Sequence, residues 1–169
     1  MLGKEVILVG YSGHAYVVAD AVIDIGLNIV GYSDKEKTNF NPYDLTYLGF
    51  ERDADFIGWS REISFVIGIG DNNLRQKISD LIVEKGKVVQ TIIDKTAVIS
   101  KTASIGSGTF VNKNVTVNAL ARIGRNVILN TGCIIEHECI LHDATHIAPG
   151  VVLAGNVTIG ERSFQNTSL

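Results

Sequence analysis

Three of the four histidines in the chain, His137, His142 and His146, fall within ten residues of one another in the stretch TGCIIEHECILHDATHIAPG, residues 131–150. Glu136 and Glu138 flank the first of them. An imidazole beside a carboxylate suits general-base chemistry, because the carboxylate fixes the tautomer and raises the basicity of the far nitrogen. Closely spaced histidines also suit a metal, and a solvated corner can carry histidine with no chemistry at all. The elements around the cluster decide among these three readings.

A second candidate lies near the N-terminus. In GYSGHA, residues 10–15, Ser12, Gly13 and His14 stand between the apolar run EVILVG and an amphipathic stretch. A strand–helix junction of that kind offers main-chain N–H groups to phosphate. The dinucleotide fingerprint G-x-G-x-x-G is absent, since Ser12 and Ala15 occupy the second and third glycine places, so NAD is not expected. Ser33 and Asp34 follow a second strand, NIVGYS, and Gly70 with Asp71 follows a third, ISFVIGIG. All lie at the carboxyl edge, where parallel sheets hold their ligands.

The elements that must position these residues come in two kinds. Residues 1–90 alternate strand and helix, as a small parallel α/β domain does. Ala15, Val18, Ala19, Val22 and Ile25 mark one helix, ending near Gly26; Leu74, Ile78, Leu81 and Ile82 mark another, ending at Gly86. KVVQTII is expected as a fourth strand. From residue 93 the period changes: every sixth residue from Ile93 to Ile159 is Ile, Val or Leu, and the residue four places after each is small or β-branched. That hexapeptide repeat predicts a parallel β-helix over 91–169, with four 18-residue coils from 93 to 164. Cys133 and Cys139 occupy the small-residue slot, which gives them a structural role.

Coil geometry then places the histidines. His137 falls two places after an inward residue, at an outer corner, with Gly155 stacked beside it one coil on. A glycine there is expected to leave open space next to the imidazole. His146 stacks between Ile128 and Phe164, and His142 lies on another part of the surface. The γ-class carbonic anhydrases, also left-handed β-helices, set the zinc alternative: His137 and His142 share the spacing of two of their ligands. Residues 91–136 supply no histidine for the third, and catalytic zinc needs three protein ligands.

GYSGHA, IGIGDNNLRQKI and ILNTGCIIEHECILHDATHIAPGVVLAGNVTIG together resemble the sugar O/N-acetyltransferases typified by PglD and NeuD. The resemblance implies a Rossmann-like α/β domain with a short parallel sheet, followed by a left-handed parallel β-helix. It implies acetyl-CoA-dependent transfer to an amino or hydroxyl group of a nucleotide-linked amino sugar, in glycan or surface-polysaccharide synthesis. His137 matches the family's general base and Glu138 the acid that raises its basicity; His146 and Gly155 match its acetyl-CoA contacts. Ser12, Gly13, His14, Ser33, Asp34 and Gly70 fall where the family holds its nucleotide sugar, and Asn130 is a further candidate for the sugar. No metal is implied. Family members are homotrimers with the site between neighbouring helices, and outward Ile128 and Ile134 offer apolar surface for such an assembly.

The repeat stops at Gln165, where another aliphatic residue is due, and family members continue for further coils. The expectation is a chain shortened at its C-terminus. The alternative function is then a sugar-nucleotide-binding remnant without a complete coenzyme site, or O-acetylation of a sialic-acid-type sugar. A net charge of −3 with both signs mixed argues against nucleic acid as a partner. The apolar runs are too short for a signal peptide or a membrane span, which points to a cytoplasmic protein. The sequons at Asn114, Asn156 and Asn166 read as turn asparagines rather than glycan sites.

Overall fold

The computed structural model describes residues 5–166. The ends of the two assigned regions, 1–4 and 167–169, lie outside them, and so do the last two residues of the Asn166 sequon. Strand β1 (Glu5–Val9) is the centre of a three-stranded parallel sheet, between β2 (Asn28–Ser33) and β3 (Ser64–Ile67). Val6, Ile7, Leu8 and Val9 are fully buried, as a continuous apolar run predicts for a strand covered on both faces. Helix α1 (Gly13–Asp24) packs one layer through Ala15, Val18, Ala19 and Val22, the stripe read from the sequence. Helix α2 (Asn72–Glu84) lays Ile78 and Ile82 against Ile7, Val9, Phe65 and Ile67 on the other. Each of these buried aliphatic side chains contributes about 1.5–3 kcal/mol.

Two details depart from expectation. The buried stripe of α2 is Arg75, Ile78, Ser79 and Ile82, while Leu74 is 36% exposed. The helix is rotated because it packs on the second domain as well as the sheet. The expected fourth strand makes only a single bridge, Val89 to Phe65. The chain then leaves the sheet, and Ile92–Ile93 already pairs with the β-helix. Covalent continuity between the two domains therefore runs through an extended segment hydrogen-bonded at both ends.

After β2 the chain turns back along it. Tyr32 N donates to Thr46 O at 2.9 Å and Leu48 N to Tyr32 O at 2.9 Å. The approach needs Gly31, where a Cβ would lie 2.5 Å from the Thr46 carbonyl oxygen. This contact carries Phe50 and Glu51 to the carboxyl edge of the sheet.

The β-helix has three faces of two-residue parallel strands. The first holds β4 (Ile92–Ile93), β7 (Phe110–Val111), β10 (Ile128–Leu129), β13 (His146–Ile147) and β16 (Phe164–Gln165). The second holds β5 (Val98–Ile99), β8 (Thr116–Val117), β11 (Ile134–Ile135) and β14 (Val152–Leu153). The third holds β6 (Ser104–Ile105), β9 (Arg122–Ile123), β12 (Ile140–Leu141) and β15 (Thr158–Ile159). Partners are 18 residues apart throughout, as in Ile128↔His146 and Ile134↔Val152. The every-sixth aliphatics from Val111 to Leu153 form the interior, and the slot four places later holds Val115, Ala121, Val127, Cys133, Cys139 and Val151 in the same core. Both cysteines are buried and free. Thr109 and Thr145 fill that slot with their hydroxyls satisfied, donating to Gly124 O at 2.9 Å and to His142 O at 2.7 Å.

Every turn from Gly108 to Arg162 puts one residue, six apart, in the left-handed region, with φ between 54° and 71°. Glycine and asparagine tolerate this conformation best, which accounts for Asn114 and Asn156. Ile128, expected as an outward apolar residue free for assembly, is 1% exposed. It lies in the α1 core cluster with Ile92 and Phe110, because the first face of the prism carries the α/β domain.

Candidate active site

His137 and Glu138 occupy the turn between the second and third faces, the vertex opposite the face that carries the α/β domain. His137 Nδ1 lies 3.1 Å from Glu138 Oε2, and both side chains are more than half exposed. With Nδ1–H donated to the carboxylate, Nε2 holds the free lone pair of a base. Glu138, rather than Glu136, therefore orients the ring. Glu138 does so from the left-handed turn slot at φ 61°, a conformation costing about 1–2 kcal/mol for a residue with a Cβ. Gly155 does stack beside His137, but the gap is filled: a Cβ there would come within 2.5 Å of Cε1 and Nε2. The imidazole itself rests against the glycine backbone.

Ser12, Asp34 and Gly70 line one cavity of about 450 Å³ at the carboxyl edge of the sheet, with Asp71, Lys35, Phe50, Glu51 and Arg52. Ser33 is fully buried beneath it and donates from Oγ to Glu51 Oε2 at 2.6 Å. Gly13 opens α1. His14 turns away from the cavity toward the β-helix, with its ring 5.6 Å from Phe110 and 6.1 Å from His146. Asp34 holds the loop ends together, accepting Tyr11 N–H at 2.8 Å and Lys35 N–H at 2.7 Å.

His14 and His146 meet at the seam between the domains. His146 stands between Ile128 and Phe164 in register, with its ring 4.9 Å from that of Phe164. Burial and the Arg75 cation push its pKa down to about 4 against the pull of the Gly70 carbonyl. Burial, then His146 and Arg75, hold His14 at about 4 as well. His14 Nε2 is buried without a partner among the described residues. Asn130 approaches His146 Nε2 at 3.4 Å through Nδ2, and its Oδ1 accepts from Asn112 Nδ2 at 3.1 Å, so it belongs to an asparagine stack.

Arg75, 2% exposed, ties this seam together. Its guanidinium donates to Asn126 O at 2.8 Å and Ala144 O at 2.8 Å on the β-helix, and to Gly70 O at 2.9 Å on the cavity loop. The sequence reading missed Arg75, although an arginine on the 75, 78, 79, 82 stripe was a visible signal. It also missed Glu51, for which no local signal exists, since only the return of the chain along β2 buries it. Among the described residues, no three His, Cys, Asp or Glu side chains converge as a metal site would need.

Residues 5–82 match the PglD N-terminal domain family. Over 100 residues the chain is 29% identical to GDP-perosamine N-acetyltransferase of Escherichia coli O157:H7, covering 59% of this chain and 45% of that protein. The chain thus spans less than half of that relative. A histidine-to-asparagine variant of perosamine N-acetyltransferase from Caulobacter crescentus, in complex with CoA and GDP-perosamine, superposes with a TM-score of 0.88 at 31% identity. That match covers 95% of this chain and 76% of the other. The acetyltransferase domain of PglB from Neisseria gonorrhoeae FA1090, in complex with acetyl coenzyme A, gives a TM-score of 0.86 at 27% identity, covering 95% and 78%. The likeness to the Caulobacter protein runs through both domains, and the chain belongs to the PglD-like family of hexapeptide-repeat sugar acetyltransferases.

Proposed function

We propose that this protein is an acetyl-CoA-dependent N-acetyltransferase acting on a nucleotide-linked amino sugar for glycan or surface-polysaccharide synthesis. The observation that carries the reading is the exposed imidazole whose Nδ1 is held by Glu138 at 3.1 Å. Nε2 of His137 takes a proton from the sugar amine as its nitrogen attacks the thioester carbonyl. The tetrahedral intermediate collapses to the amide, the carbon–sulfur bond breaks, and the imidazolium returns the proton to the CoA thiolate. A neutral amine is nucleophile enough that no covalent enzyme intermediate is required. The nucleotide occupies the cavity of Ser12, Asp34 and Gly70 in one chain, and His146 of that chain with Gly155 of a neighbouring copy marks the coenzyme side. CoA and GDP-perosamine in the Caulobacter complex, and acetyl coenzyme A in the Neisseria complex, support both assignments.

The working form is a homotrimer. Within one chain the cavity and His137 lie on opposite sides of the prism, so a neighbouring copy must bring its vertex to the cavity. The second face, which adjoins that vertex, carries an outward column of Val98, Ile134 and Val152, with Val98 64% and Val152 62% exposed. That is apolar surface a partner would cover. No helix among the described residues is long and apolar enough to cross a membrane, and we place the reaction in the cytoplasm, with its acetyl-CoA.

The test is thiol release from acetyl-CoA with GDP-, UDP- and dTDP-linked 4-amino sugars. Turnover that falls roughly 10²–10⁴-fold in His137→Ala is expected. Turnover equal in that variant removes His137 as the base. Nucleotide-sugar binding without any turnover replaces the enzyme with a binding protein.

A further inference from the structure

We infer that Glu51 reads the nucleobase and selects guanine, so that the acetyl acceptor of this protein is a GDP-linked sugar. The inference rests on the nucleotide-sugar reading of the cavity. Glu51 is 4% exposed yet lines that cavity, beside Phe50 and Arg52. Its carboxylate is only partly used. Oε2 accepts the Ser33 hydroxyl at 2.6 Å, whereas Oε1 has no hydrogen bond among the described residues and its cation, Arg52 Nε, stands at 3.9 Å. A buried carboxylate with acceptor capacity to spare calls for donors from the ligand. Of the other two carboxylates at this edge, Asp34 accepts a main-chain N–H on each oxygen, and the exposed Asp71 caps α2 by accepting Leu74 N–H at 2.7 Å.

The surroundings say which donors. Ser12, at the start of α1, and Lys35 both line the cavity, and a helix start there suits phosphates. Phe50 and Glu51 add to the lining an aromatic side chain next to a fixed carboxylate, with the Arg52 guanidinium 5.8 Å from the Phe50 ring centre. Stacking on an aromatic tolerates any base; the carboxylate discriminates. Guanine alone presents two adjacent donors, N1–H and the exocyclic amine, to one carboxylate. Adenine and cytosine offer a single amine next to an acceptor nitrogen, and uracil offers one N–H between two carbonyls, so each sets a lone pair against Glu51.

Calorimetric titration of the full chain with GDP, IDP, UDP and ADP tests this. IDP lacks only the exocyclic amine of GDP. The expected order is GDP tightest, IDP weaker by roughly ten-fold, and UDP and ADP weaker again, by about ten- to a hundred-fold in all. Glu51→Gln keeps the size and an acceptor for Ser33, and is expected to abolish the GDP preference, bringing GDP and IDP within about two-fold of each other. A carboxylate that held the ribose instead would bind all four nucleotides alike, and equal GDP and IDP affinities, or UDP tighter than GDP, overturn the guanine assignment while leaving the nucleotide site standing. Absence of binding by every nucleotide sinks the nucleotide-sugar reading itself and the inference with it.

Discussion

Replacing Arg75 should separate the domains energetically without touching either core, and the structure sets the size of the effect. The guanidinium is buried with no carboxylate against it, and burial holds its pKa down to about 10 despite the nearby Asp71. At about 1.4 kcal/mol per pH unit, that depression corresponds to roughly 3 kcal/mol of desolvation. The folded pKa is below the unfolded one, so this penalty is complete at neutral pH and lifts only as pH rises through about 10. Against it stand short bonds to three main-chain carbonyls, Asn126 O, Ala144 O and Gly70 O at 2.8, 2.8 and 2.9 Å, and a fourth to Asn72 Oδ1 at 2.8 Å within α2. Each buried carbonyl left without its donor costs about 1–3 kcal/mol. Arg75→Met removes the penalty and orphans the carbonyls, for a net loss of about 3 kcal/mol, or a melting point roughly 6–12 °C lower. Arg75→Lys keeps a buried charge but loses the planar fork that spans both domains, and so should be at least as damaging. Thermal denaturation of the three proteins at pH 7.5 reads this directly. Wild-type melting in the lysine variant would refute the argument, because the charge alone, and not the carbonyl clamp, would then hold the seam.

Other perturbations follow from the same geometry. His14 and His146 are held near pKa 4 in the fold and rise to about 6.5 when unfolded, so their contribution is intact above about pH 6.5 and is lost as pH falls toward 4. Urea titrations at pH 7 and 4.5 should show a loss of about 2–4 kcal/mol that shrinks in His14→Phe. Gly155→Ala should leave the melting point within a few degrees, since the displaced ring is more than half exposed, but lower kcat by roughly a hundred-fold by moving Nε2. Unchanged kcat would show that the ring position is irrelevant. Glu138→Gly should raise stability by about 1 kcal/mol, because the residue sits at φ 61°, and still reduce activity. A variant that is both less stable and fully active contradicts the role given to that turn.

The β-helix was legible because its rule is one-dimensional. A strict six-residue period fixes which side chain points inward, and the 18-residue coil then fixes His137 beside Gly155 and His146 between Ile128 and Phe164. What the period does not contain is the second body. Ile128 reads as wet apolar surface from the repeat alone and is buried because the α/β domain covers it. The rotation of α2 has the same origin: the pattern marks an apolar stripe, and Arg75 joins the buried face only because β-helix carbonyls await it. Glu51 was invisible for a different reason. Its neighbours in sequence, Phe50 and Arg52, give no periodic signal, and its burial depends on Gly31 admitting the chain at Thr46, thirteen residues beyond the end of β2 at Ser33.

One period therefore serves two purposes that pull against each other. The first face of the prism is given wholly to the α/β domain, whose cavity loop is clamped through Gly70 to Arg75 and thence to the turn at Ala144. The opposite vertex is left bare, and there the turn slot that takes glycine or asparagine at six of its nine other positions holds a strained glutamate whose carboxylate lies against an exposed histidine. A rigid prism cannot fold back to bring that vertex to its own cavity, because every coil is locked to the next at an 18-residue register. On the proposed mechanism, His137 is consequently rigid with respect to its own chain and serves the cavity of a neighbouring copy. Mixing a His137→Ala chain with a chain whose cavity is blocked, such as Gly70→Trp, should thus restore activity that neither has alone, up to about a quarter of the wild-type sites if subunits mix at random and each site joins one cavity to one neighbouring vertex. Failure to complement in a mixture shown to exchange subunits would mean that one chain supplies both halves of the site, which this prism geometry forbids.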